Sequence, residues 1–293
     1  MVETWKSLTK YLKMSYSISS KKFNHPLLKP ILQELTDYFK ASGISFFVIG
    51  ATARDIIMEL HDESSGRLTH DLDIAITIND WEQYKTVEEG ITQLPNFTKD
   101  PDQKQRFQYL GKFDLDIVPF GNIMKEDAKI FWPPEEEFAM SVLGFPAVND
   151  GSLKVSIDED IDIQIASLAG IGLLKIVAWR DRNHKTNKDA DDIAFILQNY
   201  LEIHRDESLE HFEAVYTEDH TIVKGGATLL GIHINQLLKA YPEAKQSIKE
   251  ILVTEVEQKE ESRLINQILE THKVLSYDEV LNCIENINNQ IKL

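Results

Sequence analysis

The sequence contains a single cysteine, Cys283, among its 293 residues. One thiol excludes an internal disulfide and fits a reducing compartment. No uninterrupted apolar run is long enough to cross a bilayer, and the N-terminus lacks the apolar core and small-residue cleavage site of a signal peptide. We therefore expect a cytoplasmic protein that has no membrane contact.

Basic residues are also scarce, since the chain has 31 Lys and Arg against 48 Asp and Glu and a formal net charge of −17. This balance argues against a broad nucleic-acid-binding surface, because such affinity comes mostly from Lys and Arg contacts to phosphates. It remains compatible with an RNA end held by a few contacts. The nine histidines show no close pairing suited to zinc, so we expect no structural metal site.

The hydrophobic pattern divides the chain near residue 167 into a mixed half and a helical half. Predicted strands cover 44–49, 71–78, 106–110, 113–118, 153–157 and 161–165, predicted helices cover 26–41, 51–60 and 81–94, and a polar loop covers 61–68. From Ser167 onward the spacing is helical almost to the end. The sequence therefore predicts an α+β fold followed by a helical domain.

Two aspartates one residue apart, Asp71 and Asp73, begin an otherwise apolar strand. Residues i and i+2 of a strand point to the same face, so both carboxylates are directed to one place. Hydrophobic burial would not favour this arrangement, because neighbouring anions repel each other and lose hydration. A divalent cation with a preference for oxygen ligands, Mg²⁺ or Mn²⁺, would remove the conflict.

Two further segments carry residues suited to phosphate chemistry. The segment 47–55 reads as strand, glycine and helix, and the free N–H groups at the start of such a helix can bind phosphate. The apolar segment 113–121 carries Asp114 and Asp116 on one face, and either could supply a third acid.

The order of these elements resembles the polymerase-β-type nucleotidyltransferase superfamily, whose pattern is a glycine turn opening a helix, an Asp-x-Asp strand and a later acid. The run Gly-Ala-Thr-Ala-Arg-Asp at 50–55 is similar to the Gly-Gly-x-x-Arg-Asp turn of tRNA CCA-adding enzymes. The segments 173–182 and 188–193 resemble the AbiEii-type group, which includes toxins of bacterial toxin–antitoxin and phage-defence systems. The resemblance covers about residues 44–200.

This resemblance implies a nucleotidyltransferase-type mixed sheet flanked by helices, followed by a helical C-terminal domain. We expect a catalytic domain at residues 1–166, in which roughly the first 25 residues are an extension. Residues 167–293 would form a helical domain that completes the active-site cleft.

The resemblance also assigns roles to individual residues, all by position in this sequence. Asp71, Asp73 and Asp116 would bind the metal ions, and Asp116 is preferred over Asp114 because it precedes Ile-Val-Pro, as in similar family members. The remaining implied contacts to the nucleotide come from Gly50, Ala51, Thr52, Arg54, Lys175, Asp189 and Asp192.

Several of these residues also have a second interpretation. Ala51 replaces the usual second glycine or serine, and Thr52 could supply the missing hydroxyl. Lys175 would reach the triphosphate or extend from a packed helix into solvent. Asp189 or Asp192 would orient Lys175 or the nucleotide, or would be part of a helix N-terminal acid run.

The implied reaction moves a nucleoside monophosphate from an NTP to an acceptor hydroxyl and releases pyrophosphate. By resemblance the acceptor is a tRNA 3′ end, a protein or a small molecule, and an antitoxin is a further expected partner. A haloacid-dehalogenase-type phosphatase is disfavoured because Ala75 stands where that class has threonine. An Asp-x-Asp glycosyltransferase and a catalytically weak nucleotide-binding or regulatory module are two competing hypotheses.

Overall fold

The computed structural model describes residues 16–63, 69–134, 136 and 139–293. The chain forms two compact units. One contains the described residues up to Val142 together with Gly151–Ser167, and the other contains Leu143–Asp150 and Leu168–Leu293. The short segment Leu143–Asp150 thus belongs to the second unit, although it precedes the expected boundary after residue 166.

The described strands and helices follow one another in chain order. The strands are β1 (Tyr16–Ile18), β2 (Phe46–Ile49), β3 (Asp71–Ile78), β4 (Phe97–Lys99), β5 (Arg106–Tyr109), β6 (Phe113–Gly121), β7 (Lys129–Phe131), β8 (Ala139–Ser141), β9 (Leu153–Ile157) and β10 (Ile161–Ile165). The helices of the first unit are α1 (Leu28–Ser42), α2 (Gly50–Leu60) and α3 (Trp81–Gln93). Those of the second unit are α4 (Phe145–Asp150), α5 (Leu168–Arg182), α6 (Lys188–Ile203), α7 (Arg205–Ser208), α8 (Phe212–Val215), α9 (Ile222–Leu237), α10 (Pro242–Glu257), α11 (Arg263–Thr271) and α12 (Tyr277–Gln290).

Eight strands of the first unit form one mixed sheet in the order β1-β9-β10-β2-β3-β6-β5-β4. The pairs β1–β9, β10–β2 and β3–β6 are parallel, and the other neighbours are antiparallel. Strands β7 and β8 form a separate antiparallel pair. This mixed sheet with flanking helices, joined to a helical C-terminal unit, confirms the predicted nucleotidyltransferase-type fold.

Strands β3 and β6 lie in the middle of the sheet, and their composition explains that position. After its two aspartates, β3 continues with Ile74, Ala75 and Ile76, none of which is exposed to solvent. A strand with neighbours on both edges and layers on both faces favours such an uninterrupted apolar run over alternation. The two aspartates of β3 therefore stand at the start of the strand, and the buried apolar residues that follow hold the strand inside the sheet.

Sequence and structure differ mainly at short elements. The predicted N-terminal extension contributes β1, whose three residues pair with β9. The sequence does not predict β4, β7, β8 or α4, because three to six residues are too few to show a periodic pattern. Residues 64–68 of the predicted loop 61–68 lie outside the described residues.

Helix α9 passes through the middle of the helical unit and packs closely against α6 and α12. A Cβ atom at Gly226 would lie 3.1 Å from the carbonyl oxygen of Leu197, and one at Gly231 would lie 2.8 Å from that of Ile287. Gly226 and Gly231 thus let the backbone of α9 approach the backbones of α6 and α12. Among the described residues, no helix has the length and apolar character that a membrane span requires.

The thiol of Cys283 should be chemically inert while the protein is folded. Cys283 lies on α12 with no exposed surface, and burial raises its pKa to about 12. Because the thiolate is the reactive form, dithionitrobenzoate should react far more slowly with the native chain than with the chain in denaturant, where one thiol should titrate. Equal rates in both states would contradict this burial.

Candidate active site

The pairing of β3 with β6 brings four carboxylates to one face of the sheet. The strands are parallel and in register, so Asp71 lies opposite Asp114 and Asp73 lies opposite Asp116. Paired residues on neighbouring strands point to the same face, and the strands are about 4.8 Å apart. The structure therefore brings together the Asp-x-Asp pair and both candidates for the third acid.

Asp114 and Asp116 differ in burial and position. The Asp116 side chain is 14% exposed and lies beside Asp73, whereas the Asp114 side chain is 34% exposed and lies beside Asp71. The more enclosed carboxylate beside the second aspartate is the better placed to share a ligand with it. This geometry agrees with the preference for Asp116, which stays a prediction.

The start of helix α2 lies against this carboxylate face. Strand β2 pairs with β3 so that Ile49 is opposite Asp73, and Gly50 then begins the helix with a φ of +66°. A Cβ atom at Gly50 would clash with the carboxylate of Asp73. Glycine is required here for two reasons, the left-handed backbone and the close approach of the acid.

The first N–H groups of α2 are suited to bind an anion. A helix leaves its first four N–H groups without intrahelical partners and carries a partial positive charge at that end. The side chain at the N-cap position, Ile49, makes no capping hydrogen bond to this helix. The backbone N–H groups of Gly50, Ala51 and Thr52 therefore form a candidate phosphate seat beside Asp73.

Two side chains on α2 make contacts within the protein. The Thr52 hydroxyl donates to the backbone carbonyl of Asp71 at 3.0 Å, so it fastens the helix to β3. The buried Arg54 guanidinium donates to Asp55 at 2.9 and 3.0 Å, and the Thr69 hydroxyl donates to the other oxygen of Asp55 at 2.6 Å. Arg54 therefore forms a buried ion pair with Asp55. The nucleotide contacts expected of Thr52 and Arg54 stay predictions.

Arg106, on β5, lies at this face, and sequence reasoning missed it as a site residue. Its guanidinium forms a two-pronged bond with Asp116, at 2.8 and 2.9 Å, and reaches Asp114 at 3.0 Å. The hydrogen bonds to Asp116 and the negative charges of the surrounding acids raise the pKa of Arg106 above its ordinary value. The guanidinium is therefore always charged. The hairpin around Gly111 contained the signal, because its register pairs Arg106 with Asp116.

Lys175 and its expected acidic partners come together in the helical unit. The Lys175 ammonium lies 2.6 Å from Asp192 and 3.3 Å from Asp189, which is 1% exposed. Arg182 also donates to Asp189, at 2.5 and 2.7 Å. Burial disfavours the charge on Lys175, but Asp192 and Asp189 outweigh it and raise the Lys175 pKa. Both acids thus orient Lys175, and its contact with a triphosphate stays a prediction.

The donor set of the carboxylate face fits a divalent cation. The four aspartates carry four formal negative charges, and the Arg106 guanidinium, which pairs with Asp114 and Asp116, can balance only one of them. Carboxylate oxygens are the ligands that Mg²⁺ and Mn²⁺ prefer. Asp71, Asp73 and Asp116 are the residues that would hold such ions.

A mixed sheet that joins an acidic face to a glycine-started helix defines the nucleotidyltransferase class of fold. The chain belongs to the AbiEii family, since the family model described as "Nucleotidyl transferase AbiEii toxin, Type IV TA system" matches residues 35–282. This match confirms the predicted relationship and extends it to most of the helical unit. Neither the curated proteins nor the solved structures gave a match to the chain.

Replacing Gly50 with alanine should damage the site more than the fold. The new Cβ would strain the backbone and displace the Asp73 carboxylate, so Mg²⁺-dependent nucleotide binding measured by calorimetry should fall at least about tenfold. Gly43→Ala is the matched control, because Gly43 has a φ of +68° but no atom within 4 Å of its Cβ position. Equal loss of binding in both variants would show that the contact with Asp73 is irrelevant.

Removing the charge of Arg106 should make the stability of the protein depend on divalent ions. Arg106→Met deprives Asp114 and Asp116 of this cation, so the free energy of unfolding in EDTA should fall by about 1–3 kcal/mol. Adding Mg²⁺ should raise the melting temperature of the variant more than that of the original protein. An unchanged melting temperature in EDTA would contradict the importance of this ion pair.

Proposed function

We propose that the protein is a nucleotidyltransferase that depends on Mg²⁺ or Mn²⁺ and transfers a nucleoside monophosphate from an NTP to an acceptor hydroxyl. The family supports the general activity and the toxin role. The observation that carries the specific proposal is the position of the Asp73 carboxylate, which lies between Asp116 on β6 and the start of α2. The Asp73 carboxylate then lies close to the proposed metal ions and also to the helix start that would bind the phosphates of the same nucleotide.

The carboxylates bind and orient in this proposal. Asp71 and Asp73 hold the cation that accompanies the triphosphate, and Asp116 completes a two-cation site and accepts the proton of the acceptor hydroxyl. When bound, paired divalent ions stabilise the attacking and leaving oxygens of an in-line displacement. A bond forms between the acceptor oxygen and the α-phosphorus, the bond from that phosphorus to the bridging oxygen breaks, and pyrophosphate leaves.

The backbone of α2 holds the leaving group. The N–H groups of Gly50, Ala51 and Thr52 donate to the β- and γ-phosphates, where negative charge increases as pyrophosphate departs. A side chain at residue 50 would fill the space next to Asp73. The start of α2 can therefore lie against Asp73 and still bind the phosphates only because residue 50 is glycine. Thr52 supports this arrangement through its bond to the Asp71 carbonyl.

Arg106 positions the third acid. Its two-pronged bond fixes the orientation of Asp116, and its charge reduces repulsion within the acidic face before a cation binds. The family description also leads us to propose an antitoxin as a protein partner. For the acceptor, a tRNA 3′ end, a protein side chain and a small-molecule hydroxyl are the three candidates to be tested.

The purified protein should incorporate label from α-labelled NTPs into one acceptor class in the presence of Mg²⁺ or Mn²⁺. Separate reactions would contain tRNA, a protein extract or a small-molecule extract, and pyrophosphate release would be measured in each. Asp73→Asn should reduce transfer at least about 100-fold, because it removes a carboxylate that would bind the metal ions and so weakens the electrostatic stabilisation of the transition state. Asp162→Asn, a change at an exposed strand aspartate, is the control and should leave transfer unchanged.

Folding of each variant would be checked by circular dichroism and thermal melting. Transfer by Asp73→Asn at the original rate would overturn the assigned site. Metal-dependent NTP binding without transfer to any acceptor would overturn the catalytic proposal and identify a nucleotide-binding module instead.

A further inference from the structure

The helical unit contains a second group of metal-ligating side chains, which no part of the proposed reaction uses. His204 follows the end of α6, Glu207 lies on α7, and His233 lies on α9. One potential ligand atom from each residue lies within 4.8 Å of the others. Three separate helical segments therefore direct two imidazoles and one carboxylate to a common point.

Glu207 lies between the two imidazoles. Its Oε2 atom is 3.1 Å from Nδ1 of His204 and 3.5 Å from Nε2 of His233. The two rings are 5.3 Å apart between centroids and stand nearly perpendicular, at 79°. A cation that is bound by nitrogen and oxygen at about 2.0–2.2 Å could be reached by all three groups after small side-chain movements.

Tyr200 lies outside the group of three side chains and is placed to orient the ring of His233. Its hydroxyl is 2.7 Å from Nδ1 of His233, which leaves Nε2 of the same ring facing Glu207. Histidine ligands to metals commonly use one ring nitrogen for the metal and the other for such a hydrogen bond. Burial, followed by the nearby His204, lowers the pKa of His233 to about 4, so its imidazole is neutral near pH 7.

The other ring nitrogen of His204 is not accounted for by its contact with Glu207. Its Nε2 atom is buried, and among the described residues nothing forms a hydrogen bond with it. Buried polar atoms of folded proteins nearly always have a partner. The side chains of His204, Glu207 and His233 nevertheless remain 17%, 25% and 14% exposed, so an ion can reach the group from solvent.

We propose that His204, Glu207 and His233 bind a transition-metal ion, with Zn²⁺ as the preferred metal. Two imidazoles and a carboxylate are a common zinc ligand set, and a water molecule or His211 would complete a tetrahedral site. The His211 ring centroid is 6.4 Å from that of His233, so a further imidazole lies close to the group.

This ion would have a structural role. It would join the end of α6 to α7 and α9, and α9 is the helix that packs against both α6 and α12. The ligands are nitrogen-rich, whereas the proposed catalytic ligands are all carboxylates. The two sites therefore differ in metal preference, with imidazole favouring zinc and oxygen-only ligands favouring magnesium.

The lack of closely paired histidines in the sequence predicts that the chain has no zinc site. The fold shows why that criterion misses this group, because His204 and His233 come from helical segments that are distant in the chain. In the sequence, only His204 and Glu207 stand close together, three residues apart at a helix end. This spacing places two side chains near one another but does not supply the third.

The test uses the full chain without an affinity tag, stripped of metal by a chelator. Zn²⁺ affinity would be measured by competition with a chromophoric chelator, and Co²⁺ would be added separately to record visible absorption bands. We expect one tight Zn²⁺ per chain, a tetrahedral Co²⁺ spectrum and a higher melting temperature with Zn²⁺. Tyr200→Phe should weaken binding about 10- to 100-fold.

Glu207→Gln, His204→Gln and His233→Gln should each lose the tight site, and the melting temperature of each should no longer respond to Zn²⁺. His184→Gln is the matched control, since His184 is an exposed histidine of the same unit outside the group. Asp73→Asn should retain the tight Zn²⁺ site, which separates this proposal from the proposed catalytic metals.

The proposal fails if the stripped protein binds no Zn²⁺ tightly, or if binding survives all three ligand changes. It also fails if Asp73→Asn removes the tight site, because the carboxylate face would then be the place of binding. Should a ligand variant not fold, the Co²⁺ spectrum of the unmodified protein decides, since oxygen-only octahedral ligation gives only weak absorption and contradicts a histidine site.

Discussion

The structure of the first unit depends on the in-register parallel pairing of β3 with β6. This register places Asp71 beside Asp114 and Asp73 beside Asp116. A shift of one residue would turn one strand's acids to the opposite face, so register decides whether the acidic face exists. The residues that alternate with the aspartates of β3, namely Leu72, Ile74, Ile76 and Ile78, are all buried, so the same shift would turn the carboxylates of β3 into the core.

Arg106 and Gly50 show how the surrounding structure accommodates this concentration of charge. Arg106 approaches from β5 on one side and neutralises part of it with a guanidinium. Gly50 approaches from β2 on the other side and removes the side chain that would meet Asp73. A strongly hydrated ammonium at residue 106 could not form the same two-pronged contact, so the identity of both residues follows from the geometry of the acids.

The sequence was sufficient for the parts of the molecule with long or ordered patterns. Strand β3 spans the predicted residues 71–78, and the Asp-x-Asp pair with its companion motifs led to the confirmed family. The three-residue strands could not be predicted, because they are held by neighbours and show no periodicity of their own. Arg106 was missed because a cation on a strand is informative only once the register shows which acids it faces.

A comparison of two charged groups supports the proposal that the carboxylate face binds a divalent cation. In the helical unit, Lys175 and Arg182 meet Asp189 and Asp192, so two positive charges balance two negative charges. The buried Asp189 can therefore remain ionised without further help, and the direction of its pKa shift agrees: burial would raise the pKa, but Arg182 and Lys175 lower it.

On the carboxylate face, four acids share one surface, and the single charge of Arg106 cannot balance them all. The two groups therefore differ in how many charges of each sign the contacts bring together. Selection for stability alone would favour the balanced arrangement, since crowded anions cost free energy. Divalent ions would supply further positive charge to this face, and a nucleotide that arrives with its own cation would then be recognised through that charge.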